Sequence, residues 1–107
     1  MSSSHGRFEL KTSLSISGSR EDLDTYVAIL DEAIARVLLE YPAVSAYYAV
    51  GDPESVEIEV GLRFEGIAPK YIEDVADEIL TTSIESATQA SVSGAVPVRE
   101  ESTLVPA

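Results

Sequence analysis

The sequence predicts an α+β fold: a four-stranded antiparallel sheet with two helices on one face, in the order β-α-β-β-α-β. Three observations predict it. Val56–Phe64 alternates without a fault, with Val56, Ile58, Val60, Leu62 and Phe64 on one side and Glu57, Glu59, Gly61 and Arg63 on the other. Side chains in a strand change face at every residue, so this segment belongs to a sheet with one apolar and one polar face. Two long amphipathic stretches flank it at helical spacing and supply a cover for the apolar face. A Gly-Asp-Pro turn between two strand-like runs joins them as an antiparallel hairpin.

The elements follow in order. Phe8–Ser17 alternates Phe8, Leu10, Thr12, Leu14 and Ile16 against Glu9, Lys11, Ser13 and Ser15, a one-sided strand. Gly18-Ser19 breaks it, and Ser19-Arg20-Glu21-Asp22 reads as a helix cap with acids in the first turn, where the helix dipole favours them. Leu23, Tyr26, Val27, Leu30, Ile34, Val37, Leu38 and Tyr41 then form one helical stripe, stopped by Pro42. Ala43–Val50 is the second strand, with Val44, Ala46, Tyr48 and Val50 expected on one face and Ala43, Ser45, Tyr47 and Ala49 on the other, the open one. Gly51–Ser55 is the turn into the third strand.

Gly66-Ile67-Ala68-Pro69 ends that strand and starts a second helix, with proline in its first turn. Ile72, Val75, Ala76, Ile79 and Ser83 keep helical spacing, Leu80 and Ile84 widen the stripe, and the helix is expected to fade near Ala87–Ser91. Ser91–Pro97 reads as loop, and a short last strand is expected within Val98–Val105. The third strand is expected beside the first, as its parallel neighbour.

Size and composition bound the rest. The 107 residues fit one domain, expected over 8–107, with 1–7 a polar disordered tail. Hydrophobic residues make up 45% of the chain, enough for a core. Cysteine is absent, which excludes disulfides and thiolate sites and is compatible with a reducing cytoplasm. No apolar run is long enough to span a bilayer and the N-terminus has no secretory signal, so a soluble cytoplasmic protein is expected. The formal charge is −12, and the excess lies between Ser19 and Ser86, where sixteen acids face Arg20, Arg36, Arg63 and Lys70. Such a body repels nucleic-acid phosphates and anionic lipid and tolerates basic partners.

The β-α-β-β-α-β order resembles the ferredoxin-like sandwich, a topology that hosts many unrelated functions. Within that topology several comparisons work by exclusion. RNA-recognition domains stack bases on aromatic residues of the first and third strands, where this chain has charged or small ones. Acylphosphatases need an anion-binding loop with Arg after the first strand; Arg20 stands near there but is followed by Glu21 and Asp22. Heavy-metal-binding domains use a Cys pair. ACT-type regulatory domains bind amino acids near a Gly after the first strand, where Gly18 stands. Dimeric α+β barrels pair two sheets face to face around a pocket, which needs an apolar open face; Tyr47 with Ala43 and Ala49 is what the sequence offers.

Catalytic templates find few parts. His5 is the only histidine, and there is no P-loop or dinucleotide fingerprint, so neither a cofactor nor an imidazole or thiolate metal site is expected. Carboxylates are plentiful. Glu73–Asp77 and Asp74–Glu78 are like-charged pairs four residues apart on the second helix, each unfavourable by a few tenths of a kcal/mol. One helix face offers two carboxylates at a time, too few for a hard cation.

The leading expectation is therefore a non-enzymatic acidic interaction or regulatory module. It would be homo-oligomeric and would contact a basic protein partner, as a nucleic-acid mimic in one version, through Glu73, Asp74, Asp77 and Glu78, with Tyr47 on the open sheet face. The alternative is a small-ligand-binding or enzyme domain with a pocket at a subunit interface, near Gly18, Ser19, Arg20 and Arg63. A structural subunit of a larger particle is a third reading.

Overall fold

A computed structural model describes residues 6–17, 19–90 and 96–106. The elements run β1 (Arg7–Ser17), α1 (Arg20–Val37) with a 3₁₀ turn at Leu38–Glu40, β2 (Val44–Asp52), β3 (Glu57–Glu65), α2 (Pro69–Ala90) and β4 (Val96–Pro106). The sheet order is β2-β3-β1-β4 and every neighbouring pair is antiparallel. The expected order of elements and the two-layer α+β architecture are therefore present.

One expectation about the strands is corrected: β3 opposes β1 and does not run parallel to it. The reason is topological. A crossover through α1 makes β1 and β2 parallel, and β3, hairpinned to β2 and inserted between them, must oppose both. The register sets Glu9 opposite Arg63 and Lys11 opposite Gly61.

Both inner strands give the core the side the sequence assigned. Leu10, Thr12, Leu14 and Ile16 of β1 and Ile58, Val60, Leu62 and Phe64 of β3 are buried against Leu23, Tyr26, Leu30, Ala33 and Ile34 of α1 and Ile72, Ala76, Ile79, Leu80 and Ala87 of α2. Each fully buried aliphatic side chain contributes roughly 1.5–3 kcal/mol relative to exposure. Val56 stands in the turn with φ of 54°, while its carbonyl accepts a hydrogen bond from the Ile16 amide at 3.1 Å. Ser19 caps α1 as predicted: its Oγ accepts from the Asp22 amide, and the Asp22 carboxylate accepts from the Ser19 amide in return.

The outer strands depart from expectation. The register of β2 shifts between Val44 and Ala46. That bulge keeps Val44 over Phe64 on the helix side and then puts Tyr47 opposite Leu62 and Ala49 opposite Val60, also on the helix side. Ala46, Tyr48 and Val50 turn to the open face, so the two faces expected for this strand are exchanged beyond Ser45. At the far edge, β4 is longer than the short strand expected and takes in Val96 and Pro97, which were assigned to a loop. It pairs with β1 along its length, with a register shift opposite Ser13 where Thr12 Oγ1 donates to the Glu100 carbonyl at 3.2 Å. Arg7, assigned to the tail, already belongs to β1; residues 1–5 and 91–95 lie outside the described residues.

Candidate functional site

The C-terminal edge strand creates the site. With β4 seated beside β1, the start of α2 passes over it, and a cavity of about 250 Å³ opens between them. Its walls are Glu73, Asp74 and Asp77 from α2 and Arg99 and Ser102 from β4; Leu10, Ala76 and Leu80 form an apolar floor. Residues 73, 74 and 77 share this wall because positions three and four apart on a helix lie on one face. Arg99 lies opposite Leu14 of β1 and so points to the helix side, where its guanidinium pairs with the Asp77 carboxylate.

This corrects what the acids of α2 were expected to do. Asp77 is answered by Arg99, and the Tyr41 hydroxyl donates to Glu78 at 2.8 Å, a contact that holds the Tyr41 phenol above its ordinary range. Glu73, Asp74 and Asp77 wall a concavity instead of forming a flat solvated stripe. Lys70 has its ammonium 5.1 Å from the centre of the Tyr71 ring. Arg99 and Ser102 had no place in the sequence reading, because β4 shows no clear alternation and its pairing is set by a distant strand. Arg99, the only Lys or Arg after Lys70 in a −12 chain, was the one signal available.

Tyr47, expected on the open sheet face, faces α1, where its hydroxyl engages Asp31. Burial first, then Asp31, raise its ionisation above the ordinary value. The open face carries Tyr48 in its place. The Tyr48 ring lies flat across Gly61: a Cβ built on Gly61 would come within 2.1 Å of Tyr48 Cε2. Its hydroxyl donates to Glu59 Oε2 at 2.5 Å, and burial together with that carboxylate pushes the phenol up to about 12. Shallow hollows lie on either side, about 270 Å³ beside Ser13, Val50, Asp52, Glu57 and Glu59, and about 130 Å³ beside Glu9, Ala46, Gly61 and Arg63.

Within one chain, the residues expected near a pocket at a subunit interface are not brought together. Ser19 is the cap of α1 and Arg20 is exposed in its first turn. Arg63 sits opposite Glu9 on the open face, within 3.9 Å of that carboxylate. Glu9 is eight residues along β1 from Ser17, about 26 Å at the rise of a strand. Gly18 lies outside the described residues. No group of three or more His, Cys, Asp or Glu side chains fit to hold a metal occurs among the described residues, and no helix among them is long and apolar enough to cross a membrane.

No family model and no curated protein matches the sequence. Solved structures do match the fold. A Chloroflexus aurantiacus protein assigned as an antibiotic biosynthesis monooxygenase superposes with a TM-score of 0.61 at 13% identity, over 95% of this chain and 93% of its own. A Caulobacter crescentus protein assigned the same way gives 0.58 at 11% over 97% and 92%. SnoaB, a cofactor-independent oxygenase from Streptomyces nogalater, gives 0.55 at 10% over 95% and 93%. A designed protein with a ferredoxin fold gives 0.53 at 12% over 89% and 83%. At these identities the likeness shows the fold, which is ferredoxin-like.

The expectation of a non-enzymatic acidic module, docking or mimicking nucleic acid through its helical face, is overturned by this company. The natural neighbours bear the names of monooxygenases and of an oxygenase, which suit the alternative of a ligand-binding or enzyme domain better than the main expectation. The physical reason for the error is that acids were counted along one helix without the strand that closes a cleft against them.

Proposed function

We propose that the chain is a small-molecule-binding or enzyme domain whose ligand occupies the cleft between α2 and β4. The observation that carries this reading is the cleft's composition: an apolar floor of Leu10, Ala76 and Leu80 beneath a rim of three carboxylates, one guanidinium and one hydroxyl. Ligand sites are typically concave and apolar with a few convergent polar groups that fix orientation. The names of the natural structural neighbours support the same class, and a cysteine-free chain suits a cytoplasmic setting. A ligand with an apolar body and a polar edge fits such a lining, its polar edge reaching Arg99 and Ser102. Any proton transfer within the cleft falls to Glu73, Asp74 or Asp77, the lining side chains able to accept a proton.

The test is a thermal-shift screen of small hydroxylated aromatic compounds, followed by oxygen uptake with any hit and no added cofactor. A ligand that binds the native state alone raises the melting temperature. The expected result is a concentration-dependent rise in the wild type that is lost in Ser102→Trp, which fills the exposed mouth of the cleft, and reduced in Arg99→Ala. A rise that survives Ser102→Trp unchanged places the ligand elsewhere and overturns the reading.

A further inference from the structure

The lining of the cleft between α2 and β4 is unbalanced in charge. Glu73, Asp74 and Asp77 face a single guanidinium, and that guanidinium, of Arg99, is taken up by Asp77. Among the described residues no cation pairs with Glu73 or Asp74. Lys70, one turn earlier on α2, holds its ammonium against the Tyr71 ring and does not line the cleft. The two unanswered carboxylates therefore stand at the rim of a concavity whose floor, Leu10, Ala76 and Leu80, is buried and apolar.

We propose, resting on the reading of this cleft as the ligand site, that its ligand is a small organic cation: an amine on an apolar body, with the ammonium at Glu73 and Asp74 and the body on the Leu10, Ala76 and Leu80 floor. An alkylamine has an ordinary pKa near that of lysine, about 10.4, and so enters charged at neutral pH. An ammonium only donates hydrogen bonds and a carboxylate only accepts them, so the two groups complete each other. Such charge-assisted bonds are roughly twice as strong as neutral ones. The far end of the ligand meets Ser102 and the Arg99 side of the cleft, where a hydroxyl or carbonyl finds its partners.

Other ligand classes fit the lining less well. An anion enters against two uncompensated carboxylates, and it must draw Arg99 from Asp77, which leaves a third carboxylate unpaired. A neutral body of the same shape covers the floor and leaves Glu73 and Asp74 unanswered. A bare divalent cation finds no group of three or more acidic side chains placed to hold it among the described residues. The cavity, about 250 Å³, falls just below the roughly 300–1,000 Å³ usual for ligand pockets, which limits the body to a single small ring system or a short chain. A general attraction of cations to a −12 chain is the competing explanation of any amine binding, and it is indifferent to which carboxylates are neutralised.

Calorimetric titration with matched probes tests it: phenethylamine, tyramine and tryptamine, each against the alcohol of the same body, with 4-hydroxyphenylacetate as the anion. The wild type is expected to bind each amine at least about tenfold more tightly than its alcohol, and the anion most weakly. Glu73→Gln combined with Asp74→Asn is expected to abolish that preference and leave the affinity for the alcohols unchanged. Asp24→Asn combined with Glu32→Gln neutralises the same number of acids on exposed positions of α1 outside the cleft, and is expected to keep the preference. Circular dichroism checks that each variant is folded; where a double variant is not, its single changes take its place, each expected to lose about half of the effect on a logarithmic scale. Amines and alcohols that bind alike, and are both lost in Ser102→Trp, overturn the cationic ligand and leave the cleft reading standing. A preference that survives neutralisation of Glu73 and Asp74, or that falls equally in the α1 variant, overturns it too. If no probe binds, or if binding survives Ser102→Trp, the cleft reading falls and takes this inference with it.

Discussion

Tyr48 shows how one side chain is fixed by what its neighbour lacks. Its ring occupies the space a Cβ on Gly61 would need, and its hydroxyl is held by Glu59. Folding raises its ionisation from 10.0 to about 12, by burial first and then by the Glu59 carboxylate. The protonated phenol is therefore the form the fold prefers. Its contribution is complete below the unfolded value and is lost as pH rises through the folded one. Between about pH 10 and 12 the wild type is expected to lose melting temperature more steeply than Tyr48→Phe, which has no proton to release. Tyr26, Tyr41 and Tyr47 are raised too, so the variant keeps part of the slope. Melting curves of both proteins across that range check the difference.

At the scale of elements, α1 begins where local chemistry tells it to. Ser19 and Asp22 satisfy each other's backbone amides, and the stripe that follows is buried on one side. Ser19→Ala removes one half of this reciprocal cap and is expected to cost about 1 kcal/mol, read from denaturant unfolding with an unchanged slope. The edge strands obey different rules. In β2 a single bulge decides whether Tyr47 or Tyr48 meets solvent, and residue spacing contains no sign of it, since a one-residue slip exchanges the faces of everything beyond. In β4 the sequence alternates poorly because Arg99, on the helix side, reaches out over the sheet edge to Asp77. The cleft depends on that reach.

For the molecule as a whole, the central strands bind both layers together. Leu14 of β1 is fully buried in the cluster that joins the sheet to the helices. Leu14→Ala is expected to destabilise the protein by about 2–5 kcal/mol, the range for an aliphatic side chain deleted from a packed core. Chemical denaturation measures it. Val98→Ala on the open face of the same sheet is the comparison: its side chain is 60% exposed, so the isolated protomer is expected to change little.

Periodicity by itself determined the order of elements, the apolar side of β1 and β3, the buried stripes of both helices and the cap of α1. Each of these is a local matter: the alternation of a strand, the repeat of a helix, and a side chain bonding a backbone amide three residues away. Only the tertiary structure decided the direction of β3 against β1, the face on which Tyr47 lies, and the meeting of Arg99 with Asp77. Those depend on residues far apart in the chain, whose register is settled by pairing and packing and leaves no mark on the spacing of either segment. The acids of α2 were legible as charges from the start. That they wall a cleft became apparent only when β4 lay beside them.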